Sequence, residues 1–242
     1  MGKFLKRWFW RFLFFLVGAV LLYQVWIFGH IVYWNSYNPA TSAFMQERLD
    51  VMQEKKPEAI LRHQWVPYEQ ISPHLKRAII AAEDGKFLQH EGFDFEAIQK
   101  AYEKNLEKGK FVRGGSTISQ QLAKNLFLSG KKTPWRKIEE AIITLMLENV
   151  MSKRRILEIY LNKIEWGNGV FGAEAASRHY YGVSASALTA KQAARLAAMV
   201  PNPRFYDLNR NTPWLLKKTQ ISFSTGWFRH QFPDNSWPGC CE

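Results

Sequence analysis

The sequence predicts a mainly α-helical domain held behind one membrane-spanning helix. Three observations carry that expectation. From Phe12 to Trp34 there is no Asp, Glu, Lys or Arg, and the run reaches the ~20 residues that a spanning helix needs. Beyond it, apolar residues return at helical spacing in one segment after another. Convincing period-two alternation is scarce.

Gln24 and His30 are the only strongly polar side chains in the apolar run, and Trp8, Trp10, Tyr33 and Trp34 bracket it as interfacial aromatics do. Lys3, Lys6, Arg7 and Arg11 precede it without an acid. The positive-inside rule therefore keeps residues 1–11 in the cytoplasm, makes 12–34 the anchor and sends the rest across the membrane. A cleaved signal peptide is the competing reading, but its apolar core of ~7–15 residues would be shorter than this run. Residues 35–65 read as a juxtamembrane linker with a helix over Ala40–Lys56. Further helices are expected over His74–Gln89, Thr117–Leu128, Trp135–Met151, Lys153–Ile164, Gly172–Tyr181 and Thr189–Met199, with loops at Gly114-Gly115, Ser129–Pro134 and Pro201–Asn209.

The totals constrain function only loosely. The 242 residues are 47% hydrophobic and carry a net charge of +12, so one packed domain beyond the anchor is expected, with a field that attracts polyanions. Charge alone does not choose among nucleic acid, anionic lipid headgroups and a pyrophosphate substrate. The cysteines, Cys240 and Cys241, are adjacent and form no disulfide framework.

Four segments hold candidate chemistry. In AAEDGKFLQHEGFD (81–94), a helix carrying Glu83 would set it on one face with Ile79, Ile80 and Phe87, where desolvation makes a carboxylate hold its proton more tightly, as a general base requires. Alone, it reads more readily as a surface glutamate with a flexible stem. Asp84, His90 and Asp94 are too loosely spaced for a metal site and read as hydrogen-bonded loop residues. In RGGSTISQQLAKNLFL (113–128), the glycines permit close backbone approach and Ser116 or Thr117 caps a helix whose N-terminus favours an anion. Ile118 and Leu122 face one side, while Gln120, Gln121 and Lys124 face another, where Lys124 is placed to hold a phosphate. The alternative is a capped surface helix.

In KKTPWRKIEE (131–140), Pro134 opens a helix and Glu140 falls one turn after Arg136 and Lys137. A carboxylate beside fixed cations suits holding a cation or a substrate hydroxyl, whereas the apolar-flanked Glu83 suits proton transfer. An exposed ion pair is the bland reading. The fourth segment, KRRILEIYLNKIEWGNGVFG (153–172), reads as a packing helix ending in a glycine-rich turn, with a supporting role.

Taken together, Glu83-Asp84 with Phe87, His90 and Gly92-Phe93-Asp94, then Gly114-Gly115-Ser116-Thr117 with Gln120-Gln121 and Lys124-Asn125, then Arg136-Lys137 with Glu140, and Arg155-Ile156-Leu157-Glu158 with Tyr160, Asn162 and Gly167 resemble the glycosyltransferase domain shared by class A penicillin-binding proteins and monofunctional peptidoglycan transglycosylases. The resemblance covers about Val66 to Tyr206 plus the anchor. It implies a lysozyme-like helical lobe with a smaller membrane-proximal lobe, over residues 66–218, on the periplasmic side of a bacterial inner membrane. It also implies the reaction: the 4-hydroxyl of an incoming lipid II attacks the anomeric carbon of the growing lipid-linked glycan strand, with inversion to a β-1,4 bond and release of undecaprenyl pyrophosphate. Glu83 and Glu140 are then the catalytic pair. Asp84, Phe87, Ser116, Gln120, Gln121, Lys124, Lys132, Arg136 and Lys137 are the substrate-binding candidates, the basic ones meeting the pyrophosphate. Membrane lipids and other cell-wall synthesis proteins are implied partners, and nucleic acid is not. A divalent cation (Mg or Mn) would be compatible with the chemistry, but no ligand set identifies one.

Two other classes fit parts of the pattern. A lysozyme-like hydrolase also pairs carboxylates but delivers water to the sugar, and a basic membrane scaffold or nucleic-acid binder would use the charge alone. A transpeptidase domain is not expected, since the S-x-x-K match at Ser129–Lys132 lacks its companion motifs. Residues 219–242, with Gly226, Pro233, Pro238 and unpatterned Trp227 and Trp237, depart from the pattern. Their content favours a reading-frame change over a divergent terminus.

Overall fold

The computed structural model describes residues 2–109, 114–128, 130 and 133–224. It is mainly helical, as expected. In chain order the helices are α1 (Gly2–Ser36), α2 (Ala43–Gln53), α3 (Pro73–Glu83), α4 (Phe95–Glu107), α5 (Ile118–Phe127), α6 (Pro134–Val150), α7 (Lys153–Lys163), α8 (Ala173–Tyr181), α9 (Ala190–Met199), α10 (Pro203–Leu208) and α11 (Pro213–Ser224). Three short strands, β1 (Arg62–His63), β2 (Glu165–Gly167) and β3 (Val170–Phe171), form a sheet in the order β1-β3-β2. Arg62 pairs in parallel with Val170, and Glu165 pairs antiparallel with Phe171.

Most starts are set by local chemistry. Ser42, Asp94, Thr133 and Ser152 each accept a hydrogen bond from the backbone N–H three residues on, and Thr117 and Thr189 form capping boxes with Gln120 and Gln192. Each such cap satisfies donors that a helix start leaves open and contributes about 1 kcal/mol. Three differences from the expected elements are informative. The helix expected over His74–Gln89 stops at Glu83, because Asp84 leaves the helical region (φ −157°, ψ 74°). Helix α4 fills a stretch for which no element was expected, and α10 lies within the expected Pro201–Asn209 loop, where Pro203 occupies the first turn, a position that tolerates proline. The sheet is too short to show alternation.

Helix α3 packs on α9 and α9 on α11, while α5 packs on both α6 and α7. Leu75, Ile79, Ile118, Leu122, Ile143, Leu147, Ile156, Ile159 and Tyr160 are completely covered where these layers meet. At the sheet, Gly172 (φ +84°) closes the turn into α8, and a Cβ there would stand 2.8 Å from the Asn162 carbonyl oxygen. Only glycine fits such a position.

Helix α1 contains a span, Lys6–Ser36, long and apolar enough to cross a membrane. Its polar His30 donates to the Trp26 carbonyl (2.9 Å), which removes an unmet donor from an apolar setting. The far end of α1 packs along α6, with Ile27 and Ile31 fully buried and Trp34 against Phe127. Helix α7 grips the end of α1 and the segment between α1 and α2. Arg155 donates to the carbonyls of Trp34 (3.0 and 2.8 Å) and Tyr37 (2.7 Å), and the wholly buried Lys163 donates to Ala40 O (3.0 Å). Burial pushes the Lys163 ammonium down to about 8.

The fourth sequence segment is thus a scaffold in detail. Glu158 accepts from Tyr68 N (3.0 Å), and Asn162 bonds both the N–H and the carbonyl of Val66 (3.0 Å each). The tail boundary drawn at Lys218 falls inside α11, which runs on to Ser224. Residues 225–242, with both cysteines, lie outside the described residues, as do Ser129, Lys131 and Lys132.

Candidate active site

Glu83 ends α3, so its side chain projects from a helix terminus whose earlier turns are locked into the core through Ile79 and Ile80. It lines a cleft of about 400 Å³, bounded across from it by Gly114–Thr117. The close approach predicted for the glycine pair is made to protein: a Cβ on Gly115 would lie 2.9 Å from Ile98 Cα in α4.

Burial raises the Glu83 carboxyl above its ordinary range, and the adjacent Asp84 adds to the rise. Three groups oppose it: Gln121, which donates from Nε2 to Glu83 Oε2 (2.9 Å), and the ammonium groups of Lys218 and Lys124. A desolvated carboxylate held by one amide and two nearby cations can accept a proton near neutral pH.

Lys218 was not found by sequence reasoning, which ended the domain there. It comes from α11, stands over the Trp214 ring (5.0 Å) and has its own ammonium lowered by burial while Glu83 opposes that shift. No local pattern marks it; only the packing of α11 on α9 and α3 brings it within electrostatic reach of Glu83. Lys218→Met should move the acid limb of the pH–rate profile to higher pH, because the cation that favours ionised Glu83 is gone. Activity measured from pH 5 to 9 checks this, and an unmoved limb would remove Lys218 from the site.

Three expected site residues are held by contacts within the protein. Asp84 is buried, with Oδ2 accepting from Ile118 N (3.0 Å) and Oδ1 paired with His90 Nε2 (2.9 Å). Because His90 Nδ1 accepts from Gly92 N (3.1 Å), Nε2 carries the proton and donates to Asp84. Asp84 therefore braces the end of α3 against the start of α5, while lining the cleft beside Glu83. Phe87 lies past the helix end, 1% exposed, under the Lys153 ammonium (4.7 Å), so it is a core residue and not a neighbour of Glu83 on one helix face. Gln120, 4% exposed, spends its amide oxygen on Thr117 N (3.0 Å) in the capping box. His90 and Asp94 are hydrogen-bonded loop residues as read; Asp94 caps α4 from Ala97 N (2.8 Å).

The second carboxylate sits in a basic cluster. Glu140, 3% exposed, accepts from Arg136 Nη1 (3.2 Å) and from Lys137 Nζ. Lys137 also reaches Ser116 Oγ (3.5 Å), tying α6 to the loop before α5. Lys124 lies between the two carboxylates: both Glu140 and Glu83 raise its pKa, while burial, the largest influence, together with Arg136 and Lys137, lowers it. Its ammonium makes no hydrogen bond or ion pair among the described residues, so its charge is available to a ligand. Lys132 lies outside the described residues.

The donor set does not fit a divalent cation. Both oxygens of Asp84 and both of Glu140 are engaged by protein donors, Glu83 faces ammonium groups, and among the described residues no three His, Cys, Asp or Glu side chains converge. Such a cation needs several free oxygens. What the arrangement offers is a desolvated carboxylate at a cleft with the Lys124 ammonium acting on it and Arg136 and Lys137 acting in turn on Lys124, which suits removing a proton from a nucleophile and receiving an anionic leaving group.

Known proteins resemble this chain over most of its length. The family model described as Transglycosylase covers residues 50–224. The biosynthetic peptidoglycan transglycosylase of Nitrosospira multiformis is 74% identical over 218 residues, 90% of this chain and 95% of that protein. Those of Chromobacterium violaceum (66% over 206 residues, 85% and 90%) and Methylobacillus flagellatus (65% over 217 residues, 90% and 95%) carry the same name. With the match running from α2 through α11, the chain belongs to the transglycosylase family.

Proposed function

We propose that the chain is a peptidoglycan glycosyltransferase that extends glycan strands from lipid II at the outer face of the bacterial inner membrane. The observation that carries this reading is the opposition of a desolvated carboxylate, Glu83, to a cluster of Lys124, Arg136 and Lys137 ordered around Glu140. Glu83 takes the proton from the 4-hydroxyl of one lipid II as that oxygen attacks the anomeric carbon of the lipid-linked strand from the face opposite the leaving group. The C–O bond to the pyrophosphate breaks with inversion. Negative charge collects on the departing oxygen, and Lys124, with its cationic neighbours, receives it. Glu140 fixes Arg136 and Lys137 in place, and Ser116 accepts from Lys137 at the mouth of the loop.

The membrane placement has its own support. The basic residues before the apolar span favour a cytoplasmic N-terminus. Where α6 runs beside α1 it leaves Trp135, Ile138, Ile142 and Leu145 exposed, an apolar strip suited to acyl chains and set close to the basic cluster that would meet the pyrophosphate. A substrate with a lipid tail and a charged head needs both. A hydrolase needs neither.

Purified full chain in detergent with lipid II should yield glycan polymer and undecaprenyl pyrophosphate. Cleavage of finished peptidoglycan with no polymer formed would overturn the transferase in favour of the hydrolase.

A further inference from the structure

Tyr160 is a large, completely buried side chain on α7 whose one side-chain polar atom reaches the side chain that binds Glu83. Its hydroxyl donates to Gln121 Oε1 (3.0 Å), and the other end of the same amide donates from Nε2 to Glu83 Oε2 (2.9 Å). We propose that Tyr160 is a positioning residue for the reaction: its phenol holds the Gln121 amide in the one orientation that presents N–H to Glu83. The proposal rests on Glu83 being the base.

The argument is one of donors and acceptors. A primary amide has two faces of opposite character, and a half-turn about its last bond exchanges them. Were Gln121 reversed, its oxygen would oppose the Glu83 carboxylate. Tyr160 prevents this only while it remains a donor. Burial, helped by the charges of Glu83 and Asp84, holds its phenol far above the usual range, so the hydroxyl keeps its proton. Engaging Oε2 leaves Glu83 Oε1 to receive the nucleophile's proton. The charged and titratable groups facing Glu83 are Asp84 beside it, Lys124 on α5, Tyr160 on α7 and Lys218 on α11. Of these Tyr160 alone acts through a second side chain.

Tyr160→Phe keeps the ring and removes the hydroxyl. In full-length protein assayed with lipid II across pH, kcat should fall about 10–100-fold with KM changed less than about twofold. The acid limb should move to higher pH, because an amide free to rotate no longer favours ionised Glu83. Thermal melts at each pH of the profile, showing Tyr160→Phe folded throughout, keep acid unfolding from imitating the moved limb. Gln121→Met should shift the limb the same way, and the double variant should match Gln121→Met alone, since both changes break one chain. An unmoved limb in Tyr160→Phe, or effects that multiply in the double variant, would overturn the proposal. Glu83→Gln separates the two levels: if it is inactive while Tyr160→Phe keeps the wild-type limb, only the role of Tyr160 fails. If Glu83→Gln turns over at the wild-type rate, the base assignment and this proposal fail together.

Discussion

Glu83→Gln is expected to lower the polymerisation rate by about 10²–10⁴-fold, the range a positioned general base contributes, while lipid II binding is retained. The substitution keeps the shape of the side chain and removes the carboxylate's ability to take a proton. It should not lower the melting temperature, because the native site disfavours the charge that is lost: burial raises the Glu83 carboxyl despite Gln121, Lys218 and Lys124. The same shift sets the sign of the pH dependence. A base must be ionised to act, so activity should fall as pH drops through a carboxyl value above the ordinary one, and this acid limb should disappear from whatever activity remains in the Gln variant. Rates from pH 5 to 9 and thermal melts of both proteins test it. Unaltered polymer formation by Glu83→Gln would remove this residue from the chemistry.

Lys124→Met should lower turnover by about 10²–10³-fold, the usual loss for one preorganised electrostatic contact at a reacting centre. Its stem and most of its packing remain. Folding stability should hold or rise slightly, since burial already pushes the Lys124 ammonium down and no protein partner among the described residues depends on it. Lys124→Arg should recover part of the rate, because charge returns with altered geometry. Polymerisation rates for the three proteins, set beside their melts, separate charge from shape. Near-wild-type turnover in the Met variant would mean that the leaving group is met by Arg136 and Lys137, or by Lys132.

How far the sequence leads differs from residue to residue. Glu83 and Glu140 were legible because each depends on neighbours within one or two helical turns: Ile79 and Ile80 before the first, Arg136 and Lys137 before the second. Phe87 was misplaced for a local reason as well, since a helix carried past Asp84 puts it on the wrong surface. Helix α4 was readable and missed. Asp94 caps it, and Phe95, Ile98, Tyr102 and Leu106 recur at helical spacing, but the stripe they form stays exposed and finds no partner in the core.

By itself the sequence determined what short-range chemistry governs: an anchor from an uncharged apolar run, helix starts from Ser, Thr and Asp caps, a buried stripe on each core helix, and two carboxylates in contrasting surroundings. The tertiary structure decided what depends on distant chain. It made Asp84 a brace by bringing Ile118 N and His90 to its two oxygens. It delivered Lys218 from α11, and it hung Glu83 on Gln121 and Tyr160, which lie 38 and 77 positions further along. A caps-and-periodicity reading cannot see such contacts, because hydrogen bonds and burial act over a few ångströms of space, whatever the separation along the chain.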